Sequence, residues 1–313
     1  MIVVLPDNEG ATMRQVRYDR FDGVDRLWID EVSKPENSPG QAVVQVYASC
    51  INPGSVAATL HGASYTPIRD LAGVVVGVGR GVQDVNVGDE VLGWSQEWTA
   101  HAEYVGVPAT QLIAKPAGLS WDVAGSLFVT PMAGLAGFKA VEPSEGDIVV
   151  VSAATGGVGF TAAQLARRTG ATVIGIGSPS KADHMRERGI IPVSSVGDVA
   201  EDVQKATGGR KIDAFIDAFG SGYVQLALDL GVPPERINTA VDYKSAKEKG
   251  VSARGTMDAG GLPSYRMLAE LAASGDLAIP IAVTYPLAEV KAAYTALLAE
   301  RRPFGRVVLH PQG

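Results

Sequence analysis

The sequence predicts an α/β protein in which a β-rich part precedes a doubly wound parallel sheet. Short β-branched runs broken by glycine extend to about residue 120, and strand and helix patterns then alternate from residue 148 onward. Glycine supplies 37 of the 313 residues, which is typical of a chain with many tight turns. Apolar residues make up 46%, which is enough for a large core and argues against disorder.

The first part of the chain is predicted to form a compact, barrel-like β domain. Residues 42–47 and 72–79 are β-branched runs, the second of them interrupted by glycine, and residues 87–91 contain a turn signal. Residues 102–105 begin another short strand. Short strands separated by turns are typical of small barrels.

The central part is predicted to alternate strands and helices. Residues 121–140 have the composition of an apolar helix, which Pro131 should kink. We predict further helices over 160–169 and 179–189, and strands over 148–153, 172–177, 192–195, 212–219, 236–241 and 251–255. Six strands with crossovers of this length predict a doubly wound parallel sheet. After Pro286, a helix over 287–300 and a strand over 305–309 are expected to return to the first domain.

Charge and cysteine content restrict the partners and the compartment. The net charge of −7 argues against nucleic acid or an anionic membrane as the main partner, since both need a basic surface. A lone cysteine, Cys50, excludes an intramolecular disulfide and fits a reducing compartment. The first residues lack the features of a signal peptide, and no apolar run is long enough to cross a membrane. We therefore expect a cytoplasmic protein that acts on a small molecule.

The most informative motif is the buried strand and small-residue turn over residues 148–159. The turn leads into a helix whose first N–H groups have no partner within the helix, and such an end binds a pyrophosphate. Gly156 and Gly157 allow the backbone to approach the anion, while Gly159 allows the helix to pack on the strand. An ordinary tight strand–helix connection is the alternative. Because a predicted strand precedes the glycines and a helix follows them, dinucleotide binding is favoured.

These residues resemble the medium-chain dehydrogenase/reductase superfamily. The pattern Ala153-x-x-Gly156-x-x-Gly159 is similar to its cofactor turn. Other fragments resemble the zinc-free, zeta-crystallin-like quinone oxidoreductase branch: residues 51–53 (INP), 70–75 (DLAGVV), 87–91 (VGDEV), 102–105 (AEYV) and 305–309 (GRVVL). The resemblance implies a GroES-like substrate domain formed by residues 1–121 and 285–313, and a Rossmann cofactor domain over 122–284. It also implies an active site in the cleft and a homodimer or homotetramer.

The end of the second strand of the predicted sheet favours NADPH over NADH. NAD sites place an acidic residue there for the ribose 2′-hydroxyl, whereas this chain has Gly177, Ser178 and Lys181, which resemble the NADPH-binding members. A surface turn in which Ser178 caps the next helix is the alternative. Ser195 stands where the family has a tyrosine beside the phosphate. The resemblance implies this cofactor-binding set: Thr130, Ala153, Thr155, Gly156, Gly157, Val158, Gly159, Gly177, Ser178, Lys181, Ser195 and Arg306.

The family's two zinc-ligand positions in the first domain correspond to Asn52 and Arg69, neither of which is a zinc ligand. The four histidines of the sequence do not cluster. Cys50 lies two residues from Asn52 and is interpreted as a small core residue. We therefore expect no catalytic zinc.

Without a metal, hydride transfer to a conjugated acceptor is easier than to an isolated ketone, because the developing charge delocalises onto oxygen. Asn52 matches the family asparagine near the nicotinamide and is the candidate for orienting the reaction; an Asn-Pro turn is the alternative. Tyr65 is a weaker candidate, and a packing role fits it better. The family's Asp and Arg after Asn52 are replaced by Ser55 and Thr59.

Three functions remain open from the sequence. The first is an NADPH-dependent quinone or enone/enoyl reductase. The second is a zinc-free ketone or alcohol dehydrogenase that uses NADP. The third, which the family resemblance permits, is a non-catalytic NADPH-binding sensor or an RNA-binding relative, and the acidic net charge counts against the RNA-binding version.

Overall fold

The computed structural model describes residues 10–18, 23–52, 69–97, 99–299 and 302–313. They divide into two compact units. The first contains the described residues up to Phe128 together with Ile281–Gly313, and the second is Val129–Pro280. Residues 122–128 and 281–284 thus lie in the first unit, whereas the boundaries drawn from the sequence placed them in the second.

The first unit is built mainly from antiparallel strands. Its amino-terminal elements are β1 (Thr12–Tyr18), β2 (Leu27–Ser33), β3 (Gln41–Ile51), β4 (Asp70–Val78), β5 (Glu90–Trp94), β6 (Tyr104–Pro108), β7 (Leu112–Ala114) and helix α1 (Trp121–Ala124), with 3-10 turns at Val24–Arg26 and Ala109–Gln111. β1 and β2 pair antiparallel with each other. β3 pairs with both β4 and β6, and β4 continues to β5 and β7. Side chains such as Val44, Leu71 and Val91 form its buried core.

The second unit alternates strands and helices. Its elements are α2 (Val129–Val141), β8 (Ile148–Val151), α3 (Gly157–Arg168), β9 (Thr172–Gly177), α4 (Ala182–Arg186), β10 (Ile191–Ser194), α5 (Val199–Ala206), β11 (Ala214–Asp217), α6 (Tyr223–Asp229), β12 (Ile237–Thr239), α7 (Tyr243–Lys249) and α8 (Gly261–Ala273), with 3-10 turns at Pro179–Lys181, Pro234–Arg236 and Thr256–Asp258. The strands are parallel in the order β10-β9-β8-β11-β12. This order reverses between β8 and β11, as in a Rossmann sheet. The predicted fold class is confirmed.

The chain then returns to the first unit through β13 (Ile281–Pro286), a 3-10 turn (Leu287–Glu289), α9 (Val290–Leu298) and β14 (Arg306–His310). β14 pairs antiparallel with the end of β3 and parallel with β13. The first unit is therefore assembled from segments at both ends of the sequence.

The apolar helix predicted over 121–140 is two helices, α1 and α2. The break contains Gly125, whose carbonyl oxygen accepts the Cys50 N–H at 2.9 Å. A Cβ on Gly125 would lie 2.5 Å from the Ala48 carbonyl oxygen, so the helix ends where the backbone presses on β3. Pro131 causes no kink, because it lies in the first turn of α2, where a helix needs no N–H from that residue.

The strand predicted over 251–255 is wrong. In this segment, Ser252 makes a single bridge to Asn238 at the outer edge of β12. After Ser252, the segment is bonded to the Asn238 side chain instead of to the β12 backbone. Asn238 Oδ1 accepts the Arg254 N–H at 2.8 Å, and Asn238 Nδ2 donates to the Arg254 carbonyl at 3.2 Å. A side-chain amide thus replaces the sixth strand of the sheet.

None of the helices in the described part of the chain combines the length and apolar character needed to cross a bilayer.

Candidate active site

The turn after β8 is a tight backbone structure at the carboxyl edge of the parallel sheet. Ala153 has a φ of +45°, a conformation that side chains other than glycine seldom adopt. The turn is tied to its neighbours because the Ala154 N–H donates to the Ile176 carbonyl at 2.9 Å and the Ser152 N–H donates to the Ile216 carbonyl at 3.0 Å. Backbone strain that the surroundings hold in place is common at ligand sites.

Gly159 permits the close packing of α3 on this turn. A Cβ at that position would lie 2.4 Å from the Ala153 carbonyl oxygen and 2.6 Å from the Ser152 carbonyl oxygen. A residue with a Cβ does not fit here, so the absence of a side chain at Gly159 is what lets the helix pack on the turn. By contrast, a Cβ on Gly156 would lie 3.2 Å from the Ala153 carbonyl oxygen, and Gly156 is exposed.

The amino-terminal end of α3 presents backbone N–H groups without a side-chain cap. Gly156 is the N-cap residue and makes no side-chain capping bond. The N–H groups of Gly157, Val158 and Gly159 belong to the first turn, where no earlier carbonyl of the helix can accept them. Such an end favours a bound anion through its N–H groups and the helix dipole.

Thr130 supplies an unused hydroxyl on the helix that packs against this end. Its Oγ1 is buried and has no hydrogen-bond partner among the described residues, in a side chain that is 7% exposed. Gly134 lies one helical turn later on the same face, and a Cβ there would lie 2.6 Å from the Val158 carbonyl oxygen. Thr130 therefore lies on the face of α2 that meets the start of α3. An orphaned buried hydroxyl in this place fits a bound cofactor.

The end of β9 is Gly177, which is buried. A Cβ there would lie 2.8 Å from Cγ2 of Thr155, so Thr155 sits against the strand end. Ser178 Oγ and Ser180 Oγ share a hydrogen bond of 2.9 Å, and the Ser195 N–H donates to the Gly177 carbonyl at 2.9 Å. Ser178 makes no side-chain capping bond to the following 3-10 turn, so the capping alternative is wrong.

A cavity of about 200 Å³ lies between this strand end and the next one, and its lining contains residues that the sequence analysis missed. Arg186 and Ser194 line it together with Ser178, over an apolar floor that includes Met185. Arg186 is exposed, and its Nη1 donates to Asp183 Oδ1 at 2.6 Å. The spacing in the sequence offered a signal: Arg186 follows Lys181 by five residues, within the helix that the strand end leads into.

Asp217 is a second residue that the sequence analysis missed. It lies at the end of β11, across the point where the strand order reverses, and is fully buried. Its carboxylate accepts hydrogen bonds from Ser152 Oγ at 2.6 Å and from Thr239 Oγ1 at 2.7 Å. The Gly220 N–H also donates to it at 3.0 Å. Asp217 therefore joins the ends of three neighbouring strands beside the glycine-rich turn.

In the first unit, the structure brings Asn52 together with Asp70, Cys50 and Arg306. Asn52 Nδ2 donates to Asp70 Oδ2 at 2.8 Å, and both residues are buried. Arg306, at the start of β14, is 8% exposed, and burial lowers its pKa while the nearby Cys50 and Asp70 act in the opposite direction. Arg306, predicted to bind cofactor, thus lies in the same cluster as Asn52.

Asn52 and Arg69 stand at the family's zinc-ligand positions, and the described residues provide no group of metal ligands there. Within the described ranges, no group of three or more His, Cys, Asp or Glu side chains is placed to hold a metal ion. Burial raises the pKa of the Cys50 thiol from its usual 9.0 to about 12, which disfavours the thiolate that binds zinc. Tyr65, His61 and the segment 53–68 lie outside the described residues, so the prediction for Tyr65 stays a prediction.

Two family models match the chain. The model described as the alcohol dehydrogenase GroES-like domain matches residues 38–117. The model described as zinc-binding dehydrogenase matches residues 157–233, which begin at the first residue of α3. The first match falls in the β-rich unit and the second in the unit with the parallel sheet.

Relatives of known name cover most of the chain. The 2-haloacrylate reductase of a Burkholderia species is 30% identical over 272 residues, covering 78% of this chain and 80% of that protein. The phenolphthiocerol synthesis polyketide synthase type I Pks15/1 of Mycobacterium marinum is 32% identical over 292 residues, but the chain spans only 14% of its length. The structure of the quinone oxidoreductase from Coxiella burnetii superposes with a TM-score of 0.84 at 25% identity, covering 96% of this chain and 99% of that one.

The same superfamily is indicated by the glycine-rich turn on a parallel sheet, by the two matched family models and by these relatives. The chain belongs to the medium-chain dehydrogenase/reductase superfamily, whose members are oxidoreductases that use a nicotinamide cofactor.

Proposed function

We propose that this protein is a zinc-independent, NADPH-dependent reductase of quinones or of α,β-unsaturated carbonyl compounds. The observation that carries the cofactor choice is the cavity at the ends of β9 and β10. Ser178, Ser194 and Arg186 line it, Lys181 follows in the adjoining turn, and no carboxylate is among the lining residues. Hydroxyl and cationic groups suit a ribose 2′-phosphate, whereas an NAD site needs an acid.

The residues of the second unit divide the binding of NADPH between them. The first turn of α3 (Gly157, Val158 and Gly159) would hold the pyrophosphate, and Thr130 Oγ1 would gain the hydrogen-bond partner that it lacks. Thr155, Gly156 and Ala153 would shape the turn, and Ser195 stays a proposed contributor. Arg306, which belongs to the first unit, also stays a proposed contributor. NADPH bound in this way supplies a hydride.

The names of the relatives support a conjugated acceptor. A 2-haloacrylate carries a carbon–carbon double bond conjugated with a carboxylate, and a quinone is a conjugated dicarbonyl. Reduction of either type develops charge on an oxygen that is remote from the attacked carbon. This needs orientation and polar stabilisation more than a Lewis acid. Asn52 is proposed to orient the reactants.

A panel of quinones, 2-enones and enoyl thioesters, each assayed with NADPH and NADH, tests the proposal. We expect oxidation of NADPH with at least one acceptor. Deuterium from NADPH labelled at the transferred position should then appear at the β-carbon of a 2-enone substrate. Label at the carbonyl carbon would identify a ketone reductase instead, and tight NADPH binding without turnover on any acceptor would identify a sensor.

The Asn52→Ala variant tests the orienting role. Turnover should fall far more than NADPH affinity, because the variant removes positioning for reaction and leaves the cofactor contacts of the second unit intact. Turnover by stopped-flow and NADPH affinity by fluorescence titration give the two numbers. An equal loss in both would contradict the role.

A further inference from the structure

The direction of the Asn52 side-chain amide is fixed by Asp70. We infer that Asp70 is a positioning residue that turns the Asn52 N–H groups into the protein, so that Asn52 can act on the reactants only as a hydrogen-bond acceptor through Oδ1. Its effect on turnover rests on the proposed function; the fixed direction of the amide does not.

The contact between the two side chains determines which amide atom faces Asp70. Nδ2 of Asn52 lies 2.8 Å from Asp70 Oδ2. An ionised carboxylate has no hydrogen to donate, so the reversed amide would place two acceptors against each other at this distance. The second N–H of the amide is directed at the Cys50 carbonyl oxygen, 3.5 Å away. Both N–H groups of Asn52 are therefore turned inward.

Asp70 is itself held in place. Its Oδ1 accepts the Phe128 N–H at 2.7 Å, and its main-chain carbonyl accepts Ser49 Oγ at 2.7 Å. Asp70 is 1% exposed, and the nearby Arg306 guanidinium balances its charge. A buried, charge-balanced carboxylate bonded on both oxygens is a rigid acceptor, and it can hold a neighbouring amide in one orientation.

The direction of the Asn52 amide limits the hydrogen bonds that this side chain can make to a reactant. No described residue donates to Asn52 Oδ1, whereas both N–H groups face protein acceptors, and we assign this carbonyl as the part of the amide that meets a reactant. Its partner must be a donor of the hydroxyl or amide N–H class. Asn52 therefore does not supply the hydrogen bond to the oxygen on which charge develops, and that donor must be another group.

The variant Asp70→Asn tests this inference. The amide that it introduces can still accept the Phe128 N–H through its oxygen, but its N–H₂ group then faces Asn52 and forces that side chain to reverse. We expect kcat to fall about tenfold or more, the equivalent of one hydrogen bond, with NADPH affinity within about twofold of the wild type. Asp122→Asn, which removes a carboxylate of the same unit that pairs with His310, is the matched control.

The double variant Asn52→Asp with Asp70→Asn exchanges the two side chains and separates orientation from folding. The carboxylate introduced at position 52 accepts an N–H of the amide introduced at position 70 with one oxygen, and it presents the other oxygen as an acceptor. The kcat should therefore recover most of the loss seen in Asp70→Asn alone. A kcat in Asp70→Asn equal to that of the wild type would overturn the inference. So would a double variant no faster than the single one.

A second measurement stands even if no acceptor is reduced. In protein labelled with ¹⁵N-asparagine, the side-chain N–H₂ signal of Asn52 is identified by its loss in Asn52→Ala. Its protons should exchange slowly with solvent in the wild type and faster in Asp70→Asn, where they turn outward. Equal exchange rates would overturn the fixed direction of the amide, whereas failure of the acceptor panel alone overturns only the proposed function.

Discussion

Single side chains decide the cofactor preference in this proposal. Lys181→Ala and Arg186→Ala should each weaken NADPH binding about tenfold or more and leave NADH binding nearly unchanged, because only NADPH carries the 2′-phosphate. Isothermal titration with both cofactors measures the effect. Lys205→Ala, which removes an exposed lysine of α5 paired with Glu201, is the control. Parallel weakening of NADH would show that these cations do not select the cofactor.

His101 links the stability of the first unit to pH. Ser49 Oγ donates to the Asp70 carbonyl, so His101 Nδ1–H is the donor to Ser49 Oγ at 2.7 Å, and the buried Nε2 has no partner in the described structure. Burial lowers the pKa of His101 from 6.5 to about 3. The unfolded chain therefore binds a proton that the folded one does not, and stability must fall as the pH drops from about 6.5 toward 3.

The variant His101→Gln should lessen this dependence. The free energy of unfolding, measured by urea titration at several pH values, should decline less between pH 6.5 and 3 than in the wild type. His184→Gln, at a partly exposed position, should keep the wild-type slope. If the slope is the same with and without His101, that side chain is not the group responsible.

At the scale of elements, the packing of α3 on the turn after β8 leaves no room for a side chain at Gly159. Gly159→Ala forces a Cβ to within 2.4 Å of a backbone carbonyl, so the helix must move away from the turn. We expect the free energy of unfolding to fall by about 1–3 kcal/mol and both NADPH and NADH to bind more weakly. Gly156→Ala, with 3.2 Å to its nearest neighbour, should be much milder. Comparable losses in the two variants would show that close packing is not what Gly159 provides.

The helices and strands show which features of the fold can be predicted from sequence patterns and which cannot. β9 has the predicted bounds, because a parallel strand buried beyond its first residue is rich in β-branched side chains, and β9 ends at a glycine. The break at Gly125 and the loss of the strand over 251–255 depend on contacts with β3 and with the Asn238 side chain. Such contacts join residues far apart in the chain, so local periodicity does not reveal them. Asp217 was missed for the same reason, because only the folded sheet brings it beside the glycine-rich turn, whereas the spacing from Lys181 did offer a signal for Arg186.

For the molecule as a whole, the proposal predicts chemistry without zinc. Elemental analysis of the purified protein after exhaustive dialysis should find far less than one zinc per chain, because Asn52 and Arg69, which are not zinc ligands, stand at the family's zinc-ligand positions. Reductase activity should survive a chelator. Near-equimolar zinc together with activity lost to the chelator would contradict the proposal.

The Asn238 amide has a consequence for how separate molecules meet. An outer strand normally leaves a row of backbone groups open to any passing chain, and long exposed rows of this kind seed aggregation. Here both main-chain groups of Arg254 are already occupied by one side chain. These two groups of Arg254 are therefore closed to a strand of another molecule, and any pairing at this border of the sheet would have to use other backbone groups.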